Sequence, residues 1–94
     1  MDIQRLRIFL AVAREGSISR AGEKVHLSQP AISLQIKQLQ SELGMVLFER
    51  EPQGMRLSPD GVAILPWAER VVSAMSEFTQ YAQRLHNELR GQLA

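Results

Sequence analysis

From Ser28 to Lys37 the sequence reads SQPAISLQIK, which puts short or amide-bearing side chains at the start of an expected helix. Ser28, Gln29 and Ser33 carry donors and acceptors suited to base edges, and a glutamine amide matches the pair of groups that adenine presents in the major groove. Pro30 and Leu34, one helical turn apart, are apolar and on such a surface suit the C5-methyl of thymine. Lys37 would neutralise a phosphate beside them, and Arg50 and Arg56, flanking a turn-rich tetrapeptide, can reach phosphates or a neighbouring minor groove. Ser19 and Arg20, near the start of the preceding helix, add a hydroxyl and a cation within reach of a nucleic-acid backbone. The chemistry these types support is recognition of a duplex by hydrogen bonds, methyl contacts and charge neutralisation.

Other chemistries lack their residues. No serine sits in a nucleophile elbow, no glycine-rich phosphate loop is present, and no carboxylate pair is flanked by pocket-forming sequence, so no enzyme is expected. His26 and His86 have no third ligand nearby, and the absence of cysteine removes thiolate metal sites and disulfides. No metal or cofactor is expected. The bland reading of the serines is helix capping, and that of the arginines is solubilising charge on an edge strand. Arg5, Arg7, Arg14 and Arg84 are read as solvated helix faces.

Presenting those side chains requires particular elements. Asp2 can cap a first helix whose Ile3, Leu6, Phe9, Leu10 and Ala13 form one apolar stripe, with Gly16 as its stop. Ser17 caps a shorter second helix, in which Ile18, Ala21, Gly22 and Val25 share a side. Only His26 and Leu27 separate it from Ser28, the cap of a third helix with Pro30 in its first turn. Ile32, Ile36, Leu39 and Leu43 form that helix's buried stripe, and Gly44 ends it. Two helices joined this tightly match the way a recognition helix is offered to a major groove. Val46–Arg50 and Met55–Leu57 read as two strands of a hairpin wing. Ser58, Pro59 and Asp60 then start a last helix.

In that helix Ile64, Ala68, Val71, Met75, Phe78, Ala82, Leu85 and Leu89 alternate four and three apart, the pattern of a helix seam. From Ile64 to Leu89 the stripe would extend about 39 Å, longer than the preceding domain can cover, so its distal part is expected to meet a second copy. Pro66 is expected to bend the helix near its base, and Trp67 to pack against the domain.

Ninety-four residues with 45% apolar content suffice for one small domain plus an appendage. The division is placed at Ser58, with a DNA-binding unit over 1–58 and a linker helix over 59–94. The formal charge is only +1, but eight of eleven cations precede Ser58 against six acids. Affinity for a polyanion must therefore depend on where a few cations sit. No apolar run is long enough to span a membrane, and a cytoplasmic, nucleoid-associated protein is expected.

Gly16-Ser17-Ile18-Ser19-Arg20-Ala21, Leu27-Ser28-Gln29-Pro30-Ala31-Ile32-Ser33, Glu42-Leu43-Gly44, Leu47-Phe48-Glu49-Arg50 and Leu57-Ser58-Pro59-Asp60-Gly61 together resemble the LysR-type bacterial transcription regulators in order and spacing. The match covers about residues 1–65. Leu34 stands where the family commonly has arginine or another polar residue. The resemblance implies a mainly α winged helix-turn-helix with a short two-stranded wing and a long C-terminal helix that dimerises antiparallel to its copy. It implies binding of double-stranded promoter DNA at two half-sites, and higher oligomers in a full-length protein with a carboxy-terminal effector-binding domain. The chain is expected to be the amino-terminal piece of such a protein. The competing expectation is a protein-interaction module whose DNA binding is incidental.

Overall fold

The computed structural model describes the backbone of residues 1–93 and the side-chain surroundings of 1–90; Ala94, where the expected linker segment ends, lies outside the described residues. The elements run α1 (Ile3–Glu15), α2 (Ile18–Val25), α3 (Gln29–Leu43), β1 (Phe48–Glu51), β2 (Gly54–Leu57) and α4 (Pro59–Leu93). Each cap expected from sequence is made. Asp2 accepts from the Gln4 amide, Ser17 from Arg20, Ser28 from Ala31 and Ser58 from Gly61, each satisfying an amide that lacks an intrahelical acceptor. Gly16 and Gly44 end their helices in the left-handed conformation, and His26 does the same for α2 at φ 60° despite its Cβ.

The first helix is buried on more than the single expected stripe. Leu6, Ile8, Phe9 and Val12 are all buried, because α2, α3, α4 and β2 each pack against α1 and leave little of its circumference in water. Sequence periodicity shows one apolar face when one neighbour covers a helix; here Ile8 and Val12 are claimed by other neighbours. Phe9 meets Phe48 at 5.4 Å between ring centroids, tilted by 57°. Ile32, Ile36 and Leu39 close the core from α3, as their spacing predicts, and Leu47 plugs it from the loop after α3.

The wing is a two-stranded antiparallel hairpin in which Phe48 faces Leu57, Glu49 faces Arg56, Arg50 faces Met55 and Glu51 faces Gly54. Its turn is therefore shorter than expected, only Pro52 and Gln53, and pairing begins at Phe48 instead of Val46. Val46 and Leu47 are held differently. Gln40 of α3 accepts from the Leu47 amide at 2.8 Å and the Phe48 amide at 3.4 Å. Ser58, itself buried, donates from its amide to the Leu47 carbonyl at 2.9 Å and from its hydroxyl to the Val46 carbonyl at 2.6 Å. At the other end of the wing, the Met55 amide donates to the Gly16 carbonyl at 3.0 Å. Gly54 lies so close there, at φ 147°, that an added Cβ would sit 2.2 Å from the Gly16 oxygen.

The long helix does two things along its length. Its proximal turns complete the core: Ala68 is only 3% exposed, and Ile64, Leu65 and Val72 pack around it. Ala68 and Ile64, expected at a seam between copies, thus lie against their own chain, because α1 presents an apolar side where α4 passes. Trp67 shows the reverse correction. It is 62% exposed and carries the Arg70 guanidinium over its ring at 4.7 Å, since core contact is made by the side of the helix that carries Ile64, Leu65, Ala68 and Val72. α4 continues through Pro66, and from Ser73 to Arg90 every described side chain is exposed.

Gly61 permits α4 to start against the Leu47 loop, because a Cβ there would lie 2.2 Å from the Leu47 oxygen. Alanine would ordinarily add about 1 kcal/mol of helix propensity. Here Gly61→Ala is expected instead to cost about 1–3 kcal/mol, read as a lower urea midpoint at unchanged slope; a raised midpoint would contradict the close contact.

Candidate nucleic-acid interface

Viewed down its axis, α3 carries three separate faces. Ile32, Ile36 and Leu39 point into the core. Gln35, Gln38 and Glu42, three and four apart, form a second stripe that is gripped by one side chain. Arg5 of α1 donates from Nε to Gln35 Oε1 at 3.0 Å and from one terminal nitrogen to Gln38 Oε1 at 2.8 Å, and its other terminal nitrogen pairs with the Glu42 carboxylate. Arg5 was expected on a solvated face; its planar fork instead fixes the rotation of α3 about its axis. The only sequence signal was the regular spacing of the three acceptors.

The third face is the one singled out by sequence. Gln29, Pro30, Ser33, Leu34 and Lys37 are all exposed along it. Ser28 uses one oxygen lone pair for the helix cap, which leaves its hydroxyl hydrogen able to donate outward. Gln29 Nε2 donates to Ser19 Oγ at 3.2 Å, so two expected site residues from α2 and α3 are held together across the turn. Arg20 is exposed on α2, and among the described residues it has no carboxylate partner.

Between this face and the wing runs an open groove of about 550 Å³, bordered by Pro30, Ser33, Leu34 and Lys37 on one side and Arg50 and Met55 on the other. The hairpin register explains which wing cation reaches it. Side chains alternate across a strand, so Phe48, Arg50, Met55 and Leu57 share the face turned toward α3, while Glu49, Glu51 and Arg56 share the opposite one. Arg56 is held there by Glu49 at 3.0 Å and Glu51 at 3.3 Å. The two arginines that sequence grouped together are therefore separated. Arg50 joins Lys37 at the groove, where among the described residues neither is paired with a carboxylate, and Arg56 sits within an acidic cluster facing away.

Among the described residues no group of three His, Cys, Asp or Glu is placed to hold a metal ion. The arrangement offers donors, two apolar side chains and two open cations along one helix and a flanking hairpin. Such a surface can position a polyanion and probe its edges.

Comparison with known proteins agrees with that geometry. Residues 3–62 match the model of a family described as bacterial regulatory helix-turn-helix protein, lysR family. The chain is 40% identical over 93 residues to an uncharacterized HTH-type transcriptional regulator in the ibpB-leuC intergenic region of Azotobacter vinelandii, covering 99% of this chain and 65% of that relative. It is 39% identical over 95 residues to the HTH-type transcriptional regulator BsdA of Bacillus subtilis, covering 100% of this chain and 33% of BsdA. The chain thus spans less than two thirds of these relatives' length. Among solved structures it resembles CbnR_DBD in its complex with DNA, with a TM-score of 0.84, 33% identity and coverage of 90% of this chain and 98% of that one. It also resembles BenM_DBD in a complex with catB site 1 DNA, with a TM-score of 0.86, 32% identity and coverage of 90% and 96%.

The Arg5 grip has a measurable consequence for stability. Arg5→Met is expected to lower unfolding free energy by about 1–2 kcal/mol, the partial exposure of the network trimming its worth. Arg7→Met on the exposed side of α1 is expected to stay within about 0.5 kcal/mol. Equal effects of the two in chemical denaturation would show that the grip contributes nothing.

Proposed function

This chain belongs to the lysR family of bacterial regulatory helix-turn-helix proteins, and on that premise we propose that it binds specific double-stranded promoter sequences as a homodimer to regulate transcription. The observation that carries the reading is the exposed face of α3 from Ser28 to Lys37, set beside a wing that turns Arg50 toward it. An α-helix fits the major groove, and its first turns reach base edges when the N-terminus leads. Ser28, Gln29 and Ser33 are assigned to base edges. Lys37, Arg50 and Arg20 are assigned to phosphates, with Ser19 holding Gln29. Arg56 is left out of this set because its carboxylate partners already satisfy it.

The dimer follows from the distal helix. Val71, Met75, Phe78, Tyr81, Leu85 and Leu89 are exposed large apolar residues along α4, a continuous surface of the kind that marks an association site. The seam is assigned to this set with Ala82, beginning after the turns that Ile64 and Ala68 give to the core. Two copies would present their α3 helices to half-sites about one DNA turn or a multiple apart. We assign residues 1–58 to DNA binding and 59–94 to the linker, the first turns of α4 serving both. The relatives are named as transcriptional regulators, and a regulator with no enzymatic activity is the function proposed. No described helix is long and apolar enough to cross a membrane, and the proposed setting is the bacterial cytoplasm.

Fluorescence anisotropy on a site selected from random duplexes tests the duplex reading. The logarithm of affinity against that of salt is expected to lose about one unit of slope in Lys37→Ala and in Arg50→Ala, and little in Arg56→Ala. Gln29→Ala should cost about 1–3 kcal/mol and flatten the preference among bases. Wild-type binding that shows neither selected sequence nor salt slope would overturn the proposal. For the dimer, Phe78→Glu is expected to yield a folded monomer in sedimentation, since Phe78 is 72% exposed in one chain; a persistent dimer would place the seam elsewhere.

A further inference from the structure

Leu34 is 52% exposed on the groove-facing side of α3, although every other large apolar residue of that helix lies on its core side. One exposed leucine is ordinary on a protein surface. This one has three features that narrow its use. It stands one helical turn after Pro30, so the two make a small apolar step along the same face. Both border the groove between α3 and the wing. The step is flanked by hydroxyl and cationic side chains, Ser33 and Lys37 on α3 and Arg50 across the groove, and among the described residues neither cation is paired.

We infer that Leu34 reads the C5-methyl of a thymine, making it a specificity-determining residue that selects an A·T pair at one position of each half-site. This rests on the duplex reading above. A leucine has no hydrogen-bonding atom, so it contributes nothing to reading guanine O6 and N7 or cytosine N4; the only major-groove feature it recognises is an apolar one. Thymine alone among the unmodified bases offers such a feature. A protein partner fits less well, because two apolar side chains within a ring of polar and cationic ones are far smaller than the core of a protein interface. They are the right size for one or two methyl groups between phosphates. Pro30 lies nearer the leading end of α3 and Leu34 one turn deeper, so the methyls they meet belong to different base pairs.

The test uses the 94-residue chain and its selected duplex, replacing each thymine of a half-site in turn by deoxyuridine, which removes only the methyl. Binding is measured at fixed salt for wild type, Leu34→Ala and Pro30→Ala. One position is expected at which deoxyuridine weakens wild type about fourfold, the worth of one apolar carbon, while Leu34→Ala binds thymine and deoxyuridine there equally. Placing 5-methylcytosine at that position should be tolerated better than cytosine, since the methyl is restored. Leu34→Ala lies on the exposed face and is expected to keep the wild-type melting temperature, which separates lost contact from lost fold.

A wild type indifferent to deoxyuridine at every position overturns the inference while leaving the duplex reading standing. So does a deoxyuridine penalty that persists unchanged in Leu34→Ala and disappears in Pro30→Ala, which would give the methyl to Pro30. If Leu34→Ala leaves all DNA affinities unchanged yet abolishes binding to another protein, the face belongs to a protein partner. Failure of the wild type to select any duplex would defeat the duplex reading itself, a result distinct from all of these.

Discussion

Two consecutive peptide groups, those joining Val46 to Leu47 and Leu47 to Phe48, tie α3, the wing and the long helix to one another. Gln40 reaches from α3 to accept both the Leu47 and Phe48 amides, and Ser58 reaches back from the start of α4 to the Val46 and Leu47 carbonyls. Buried main-chain groups without partners are costly, so this loop cannot shift without breaking several bonds at once. The fully buried Leu47 side chain adds an apolar anchor from the same segment. With the loop immobile, the distance from α3 to the inner face of β1 is set, and that distance is the width of the groove between Lys37 and Arg50.

Rotation of α3 is controlled separately. A helix with one apolar stripe can roll by some tens of degrees while keeping its core contacts, which would carry its outward residues away from the groove beside the wing. The Arg5 fork removes that freedom by engaging Gln35, Gln38 and Glu42 on the stripe adjacent to the core. The Gln29 to Ser19 hydrogen bond limits motion at the leading end. Preorganisation of this kind lowers the ordering cost at binding, because the side chains are placed before a ligand arrives. The register of the wing completes the surface by sending Arg50 inward and neutralising Arg56 on the outer face.

The long helix joins a core element to an exposed apolar stripe without a break. Its proximal turns are stabilised by burial against α1, and from Ser73 to Arg90 its described side chains are all exposed in a single chain. Helical stability in water depends mostly on packing of an apolar face, so the distal half draws its stability from the helix continued below it and from whatever covers its stripe. Trp67 marks the changeover: it lies on the open side at the height where Ala68 is buried, and Arg70 covers part of its ring.

Local signals in the chain determined the caps, the helix stops, the tight link between α2 and α3, and the outward face of α3 from Ser28 to Lys37. Each of these is settled within about four residues, by a side chain meeting a nearby amide or by helical spacing, so no distant contact was needed to read them. The family pattern over Gly16 to Gly61 was legible for the same reason. Tertiary structure alone decided the rest. It assigned Ile8 and Val12 to the core, because several neighbours surround α1. It turned Ile64 and Ala68 inward and Trp67 outward, because the side of α4 that meets α1 depends on how the Leu47 loop launches the helix. It gave Arg5 three partners on α3, and it separated Arg50 from Arg56 by a strand register that hinges on a pairing of Glu51 with Gly54. These outcomes depend on which surfaces meet at long sequence separation, and a spacing pattern within one segment carries no record of that.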